Sequence, residues 1–180
     1  MATIDYCSVA LGEHERVQCA DYPKGGAPVI ALMEQDHSIT DLEDNAQWLA
    51  AETAGEVVLL RSVKGLYEAA TPNTQTNPVG DGPDEIPVSF SHSITWTDAN
   101  VTTTNDASYA GYNGRTLYLA IYNPNTGKIS YFDQAAVILT PPSTLPATKN
   151  EYQQYSGTAN FTSDIDWYPV KYTAPAMFTA

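Results

Sequence analysis

Residues 86–96, Ile86-Pro87-Val88-Ser89-Phe90-Ser91-His92-Ser93-Ile94-Thr95-Trp96, alternate apolar and small polar side chains over the length of a strand. Successive side chains of a strand point to opposite faces. Ile86, Val88, Phe90, His92, Ile94 and Trp96 therefore share one face, with Phe90 and Trp96 as expected core anchors, and the small polar residues take the other. That second face is expected to be exposed or to line a channel. Working outward, Thr116 to Tyr122, Ile129 to Thr140 and Glu151 to Val170 also read as strands. Asn123-Pro124-Asn125-Thr126-Gly127 between the first two of these carries the turn residues of a hairpin.

Upstream, Val29 to Met33 reads as a short buried strand that follows a Gly25-Gly26 turn. No Lys-Ser/Thr and no helix start follows the glycine pair, which argues against a phosphate loop. Thr40-Asp41-Leu42-Glu43 has the spacing of a capping box, so a helix of three to four turns is expected to begin at Thr40. Ala46, Leu49, Ala50 and Thr53 fall at helical spacing, Trp48 is the expected core anchor, and Gly55 is the expected left-handed stop. Glu56 to Val63 then has the β-branched content of a strand, ended by Gly65. A second helix is expected around Asn105 to Tyr112, ended by Gly114.

Leu66 to Glu85 contains Pro72, Pro78, Pro83, Gly80 and Gly82 and keeps no apolar periodicity. It reads as a long loop or arm, and loops of that length in compact domains are uncommon unless they have a function. Leu66, Tyr67, Pro72, Pro78, Val79 and Pro83 are its candidate intersubunit contacts.

The 180 residues fit a single domain, with 66–85 as its extension. Only 16% are charged, against about 25% in typical domains, so neutral polar side chains must cover much of the surface. The net charge is −13, of which residues 1–60 carry −9 and residues 61–180 carry −4. Such a surface repels phosphate backbones and disfavours tight nucleic-acid binding. No apolar run reaches membrane-spanning length and the N-terminus has no signal-peptide pattern, so a chain made and folded in a cytoplasm is expected. Cys7 and Cys19 are then expected to be reduced thiols, and with His14 between them they match no common zinc module.

His14, His37 and His92 are the three histidines, and none lies in a metal or hydrolase motif. Ser91 and Ser93 flank His92 but point to the face opposite it, so His92 is expected to be packed or edge-facing. Catalytic signatures are absent, and no enzyme activity, cofactor or metal is expected. Acid pairs such as Asp164 and Asp166 have the chemistry to bind calcium, to hydrolyse glycosides across a cleft or to line an acidic channel. The cluster of Asp41, Glu43 and Asp44 is explained by a helix dipole.

In its order of elements the chain resembles the major tail (tail tube) proteins of tailed bacteriophages. The resemblance rests on Asp36-His37-Ser38-Ile39-Thr40-Asp41, a helix with Gln47-Trp48, Gly55, a strand into Val63-Lys64-Gly65, the alternating 88–96 strand, the 117–122 hairpin and a final Tyr168-Pro169-Val170 strand. It implies a mainly β (α+β) fold of two packed, largely antiparallel sheets, a β-sandwich or partly closed barrel, with one flanking helix and a long arm. It further implies a virion protein of the tail whose partners are itself, in stacked homohexameric rings, and other tail proteins. DNA would pass through the lumen as a non-sticking cargo. The polar face of 86–96 and the strand near 152–167 are the candidate lumen wall, with Asp98, Glu151, Asp164 and Asp166 as candidate lumen-facing acids. A capsid decoration or head–tail connector protein, or a carbohydrate-binding β-sandwich using the twelve tyrosines and three tryptophans, stands as the alternative.

Overall fold

The computed structural model describes residues 29–61, 63–67, 70–76, 85–143, 153–164 and 169–179. Nine strands form one antiparallel sheet: β1 (Val29–Met33), β2 (Val57–Leu60), β3 (Lys64–Tyr67), β4 (Thr71–Thr76), β5 (Glu85–Asp98), β6 (Thr116–Asn123), β7 (Lys128–Leu139), β8 (Tyr155–Ser163) and β9 (Val170–Thr173). The strand order is β2-β1-β6-β7-β8-β5-β3, with β4 added to β5 and β9 to β7. Two helices, α1 (Asn45–Ala54) and α2 (Thr103–Tyr112), and a 3-10 turn at Ala176–Phe178 complete the described chain.

The mainly-β expectation holds, and the two expected sheets are two regions of one continuous sheet. Curling brings them face to face. Ile30, Leu32, Val58 and Leu60 from β1 and β2 join Ile94, Trp96, Tyr155, Ala159 and Phe161 from β5 and β8 in one buried core. Across that core Gly65 of β3 lies against Ile30 of β1, where a Cβ would stand 2.9 Å from Ile30 Cδ1. β2 and β3 do not pair, so the sheet stays open along that line.

The opposite face of β1, β2, β6 and β7 builds a second core from Val29, Ala31, Met33, Val57, Leu59, Ala120 and Ile129. Because β1 and β2 are covered on both faces, they read as continuous apolar runs rather than alternating ones. Trp48 of α1 closes this core, fully buried, edge-on to Phe178 with ring centroids 4.9 Å apart. Its indole N–H donates to the Leu42 carbonyl at 3.0 Å.

Helix α1 departs from the sequence expectation in two ways. Its N-cap is Asp44, whose carboxylate accepts from Ala46 N, and not Thr40. The Thr40 amide and hydroxyl both donate to Gln47 Oε1, while Glu43 accepts from Thr173 N at 2.7 Å. The capping box is thus opened by tertiary partners. The buried face is Trp48 and Ala51, leaving Leu49 46% exposed, because one indole outweighs the small residues at the other apolar positions. Gly55 ends the helix at φ 75° as expected, donating to Ala51 and Glu52 carbonyls.

Helix α2 matches its expected span. Thr102 caps it by accepting from Asn105 N, and Tyr109 and Tyr112 reach into the first core. The hairpin of β6 and β7 also forms as read, with Gly127 at φ 64°. Within it, Tyr118 alone opposes Asp133 to Ala135, a bulge that no alternation pattern announced. The expected strand from Glu151 to Val170 is interrupted: β8 ends at Ser163 and β9 starts at Val170.

Several expected positions shift. Leu66 to Glu85 is not simply a loop, since the end of β3 and the whole of β4 fall inside it and β4 pairs with β5 over Thr71–Thr76. Hydrogen bonding between two polar strands needs no apolar periodicity, which is why composition suggested a coil. Phe90 is partly buried and belongs to neither core, because it stands where β5 makes its last pairing with β8, whereas Trp96 and Trp48 are buried as expected. Gly25-Gly26, Cys7, Cys19 and His14 lie outside the described residues. Among the described residues no helix is long and apolar enough to cross a membrane.

Candidate assembly surface

Strand β5 serves two environments. From His92 to Asp98 every second residue is buried, whereas Glu85 to Val88 are all exposed. The first part belongs to the barrel and pairs with β8 from Phe90 to Asp98. The second part pairs with β4 and, among the described residues, with nothing on its other side. The result is a two-stranded ribbon, Thr71–Thr76 against Glu85–Ser91, that projects past the core. Asn73 Nδ2 stitches it by donating to Ser89 Oγ at 3.0 Å and Ser91 Oγ at 2.9 Å.

Among the described residues the ribbon has two open edges, that of β4 and that of β5 as far as Ser89, and it carries Ile86 and Val88, 36% and 48% exposed. A lone two-stranded ribbon is marginal in water, and open edges invite pairing with another chain. Pro72 and Pro87 each remove one N–H donor from it, which limits indiscriminate pairing. Of the expected arm contacts, Pro72 lies on the ribbon opposite Phe90, and Leu66 pairs through its backbone with Thr95 in β3. Tyr67 does not belong to the arm. It packs against the first core, edge-on to Phe132 at 5.3 Å. Pro78, Val79 and Pro83 lie outside the described residues.

Below the ribbon, the outward face of β5 and β8 is a ladder of neutral polar pairs: Ser91 with Thr162, Ser93 with Asn160, Thr95 with Thr158 and Thr97 with Ser156. A shallow depression of about 390 Å³ is lined by Thr71, Ser91, His92, Ser93, Asn160, Phe161 and Thr162. Val137 and Leu139, 44% and 46% exposed, continue this face on β7 opposite Asn160 and Thr158.

The expected lumen acids are not gathered here. Asp98 is fully buried and faces the core, accepting from Asn100 N at 2.8 Å and from the Tyr109 hydroxyl at 2.9 Å. It fails as a surface residue because it continues the inward register of His92, Ile94 and Trp96. Burial, with the Asp98 carboxylate beside it, pushes the Tyr109 phenol far up. Asp164 is exposed just past the end of β8, while Glu151 and Asp166 lie outside the described residues. No group of three or more His, Cys, Asp or Glu side chains gathers as a metal site among the described residues.

Sequence reasoning missed the partners of His92. The ring is 3% exposed, stacked on Phe161 with centroids 4.6 Å apart, and parallel to Tyr67 at 6.0 Å. Its nitrogens meet the Tyr67 hydroxyl at 2.8 Å and Ser163 Oγ at 2.6 Å. Ser91 and Ser93 are excluded by the pleat as expected, and the serine that reaches the ring comes from the neighbouring strand, diagonal to His92. No known protein family matches the chain, and no curated protein is significantly similar to it.

Proposed function

We propose that this chain is a structural virion protein that assembles as stacked rings into a phage tail tube, the conduit for DNA during ejection. The observation that carries the reading is the ribbon of β4 and β5, with two edges unpaired among the described residues and exposed Ile86 and Val88, projecting from a curled sheet that is itself open. Edges of this kind are covered when subunits pair side by side and a ring closes. The neutral Ser/Thr/Asn face of β5 and β8 is the proposed lumen wall. Its own side chains offer a passing phosphate backbone no cation, the exposed Lys64 of β3 standing beside it at Thr97, and the net charge of −13 adds a long-range repulsion that keeps DNA mobile. The partners in this reading are further copies of the chain, in rings of six, and other tail proteins.

Electron microscopy of the purified protein, with its solution mass measured across a concentration series, tests the proposal. Rings or hollow tubes of uniform diameter are expected. A strict monomer at every concentration would overturn the tube reading and favour a decoration protein or a binding module.

A further inference from the structure

His92 stands where β5 passes from barrel to ribbon: Ile94 and Trp96 on one side are buried, and Val88 and Ile86 on the other are exposed. Its ring joins three strands. Tyr67 comes from β3, which pairs with β5 next to the ribbon, and Ser163 is the last residue of β8. Ser163 Oγ also lies 3.2 Å from the Asp164 carbonyl, an acceptor to which the hydroxyl can donate while it accepts from the imidazole. With the hydroxyl so turned, the proton of the neutral ring sits on Nε2 and Nδ1 accepts from the Tyr67 hydroxyl. In this tautomer the chain Tyr67 to His92 to Ser163 to Asp164 O runs in one direction through a neutral ring.

We propose that His92 is a pH-sensitive latch, which holds β3 and the root of the ribbon to the barrel and releases them when the imidazole takes up a second proton. The imidazolium donates from both nitrogens, so Tyr67 can no longer donate to Nδ1 and must turn its own proton elsewhere. The charge is also shut between the Tyr67 and Phe161 rings, whose faces offset only part of the lost hydration. Among the described residues, the ring meets the Tyr67 phenol from β3 and the Ser163 hydroxyl and Phe161 ring from β8. Asp164 contributes its main-chain oxygen while its side chain is exposed. Burial holds the His92 ring below its ordinary value of 6.5. The sign follows: the latch is intact above about pH 6.5, and its contribution is lost as the pH falls from there towards the folded value. It operates within one subunit and does not depend on what the ribbon binds.

The test is hydrogen exchange of β3 and β4 amides relative to α1 amides, between about pH 7.5 and about pH 5, with the His92 ring titrated by NMR. Acidification is expected to raise the β3 and β4 ratio, by about tenfold for each unit by which the ring titrates below its unfolded value. His92→Gln should make the ratio independent of pH, and His37→Gln should leave the response intact. Tyr67→Phe keeps the ring but removes the hydroxyl, and should bring the His92 titration closer to 6.5. A flat ratio in the natural protein, or the same acid response in His92→Gln, would overturn the latch. If His92→Gln does not fold, an unchanged His92 titration in Tyr67→Phe overturns it instead.

Discussion

Gly157 of β8 lies directly against the indole of Trp96 on β5: a Cβ at position 157 would stand 2.1 Å from the ring carbons Cε2 and Cζ2. The two residues are cross-strand partners, and the missing side chain is what lets the indole lie down over β8 and fill the core. Gly157→Ala should force the indole or the strand to move. The expected cost is about 1–3 kcal/mol, with a melting temperature lower by about 2–4 °C for each kcal/mol, readable by thermal unfolding. An alanine variant that melts with the natural protein would mean that Trp96 is free to move aside.

The Tyr109 hydroxyl is one of the donors to the fully buried Asp98 carboxylate. Tyr109→Phe keeps the stacking on Tyr155, with centroids 4.4 Å apart, and removes only that donor. A loss of about 1–3 kcal/mol in denaturant unfolding is expected, because a buried acceptor loses a partner rather than exchanging it for water.

Glu43 fixes the end of β9 by accepting from Thr173 N, and that hydrogen bond holds its carboxyl below the usual value of 4.5. A lowered folded value means stability that is present above the unfolded value and is lost as the pH falls through the folded one. Glu43→Gln should flatten this acid limb of the melting temperature and loosen the C-terminal segment, read as faster exchange at Thr173. An acid limb of unchanged slope in the variant would place its origin elsewhere.

The paired substitution Ile86→Ser and Val88→Ser alters the ribbon without touching either core. Surface changes of this kind usually alter monomer stability by no more than about 0.5 kcal/mol. Thermal unfolding should therefore be nearly unchanged while rings or tubes are lost in electron microscopy. Deleting the ribbon should have the same effect. Assembly that survives both changes removes the ribbon from the interface.

Strands and turns were legible in the sequence where one local rule settled the outcome. The alternation read over 86–96 appears from His92 onward, and the turn at Asn123 to Gly127 and the stop at Gly55 appear where they were read, because each is decided by nearest neighbours. Distant partners decided the rest. Glu43 bonds to Thr173, 130 positions away, while Thr40 is taken by Gln47 and Asp44 caps in its place. Asp98 looked like a surface acid until Asn100 and Tyr109 surrounded it. The ribbon hid in a Pro-rich, Thr-rich stretch because its pairing is backbone to backbone and leaves no apolar trace. Of the candidate surface, the small polar face of β5 was readable from its pleat. The Tyr67 and Ser163 contacts of His92 were not, since they join three strands that only the sheet order brings together.

Along β5 from Ser89 to Thr97, and along β8 from Ser156 to Thr162, the outward side chains are hydroxyls and one amide, without a formal charge among them. The molecule as a whole carries −13. Dissolved ions therefore act on the two unequally. Added salt screens the repulsion between approaching copies over about 8–10 Å and so governs how often they meet. In the tube proposed above, the neutral wall gathers no counterions of its own, so its direct contacts with a passing strand carry no such dependence.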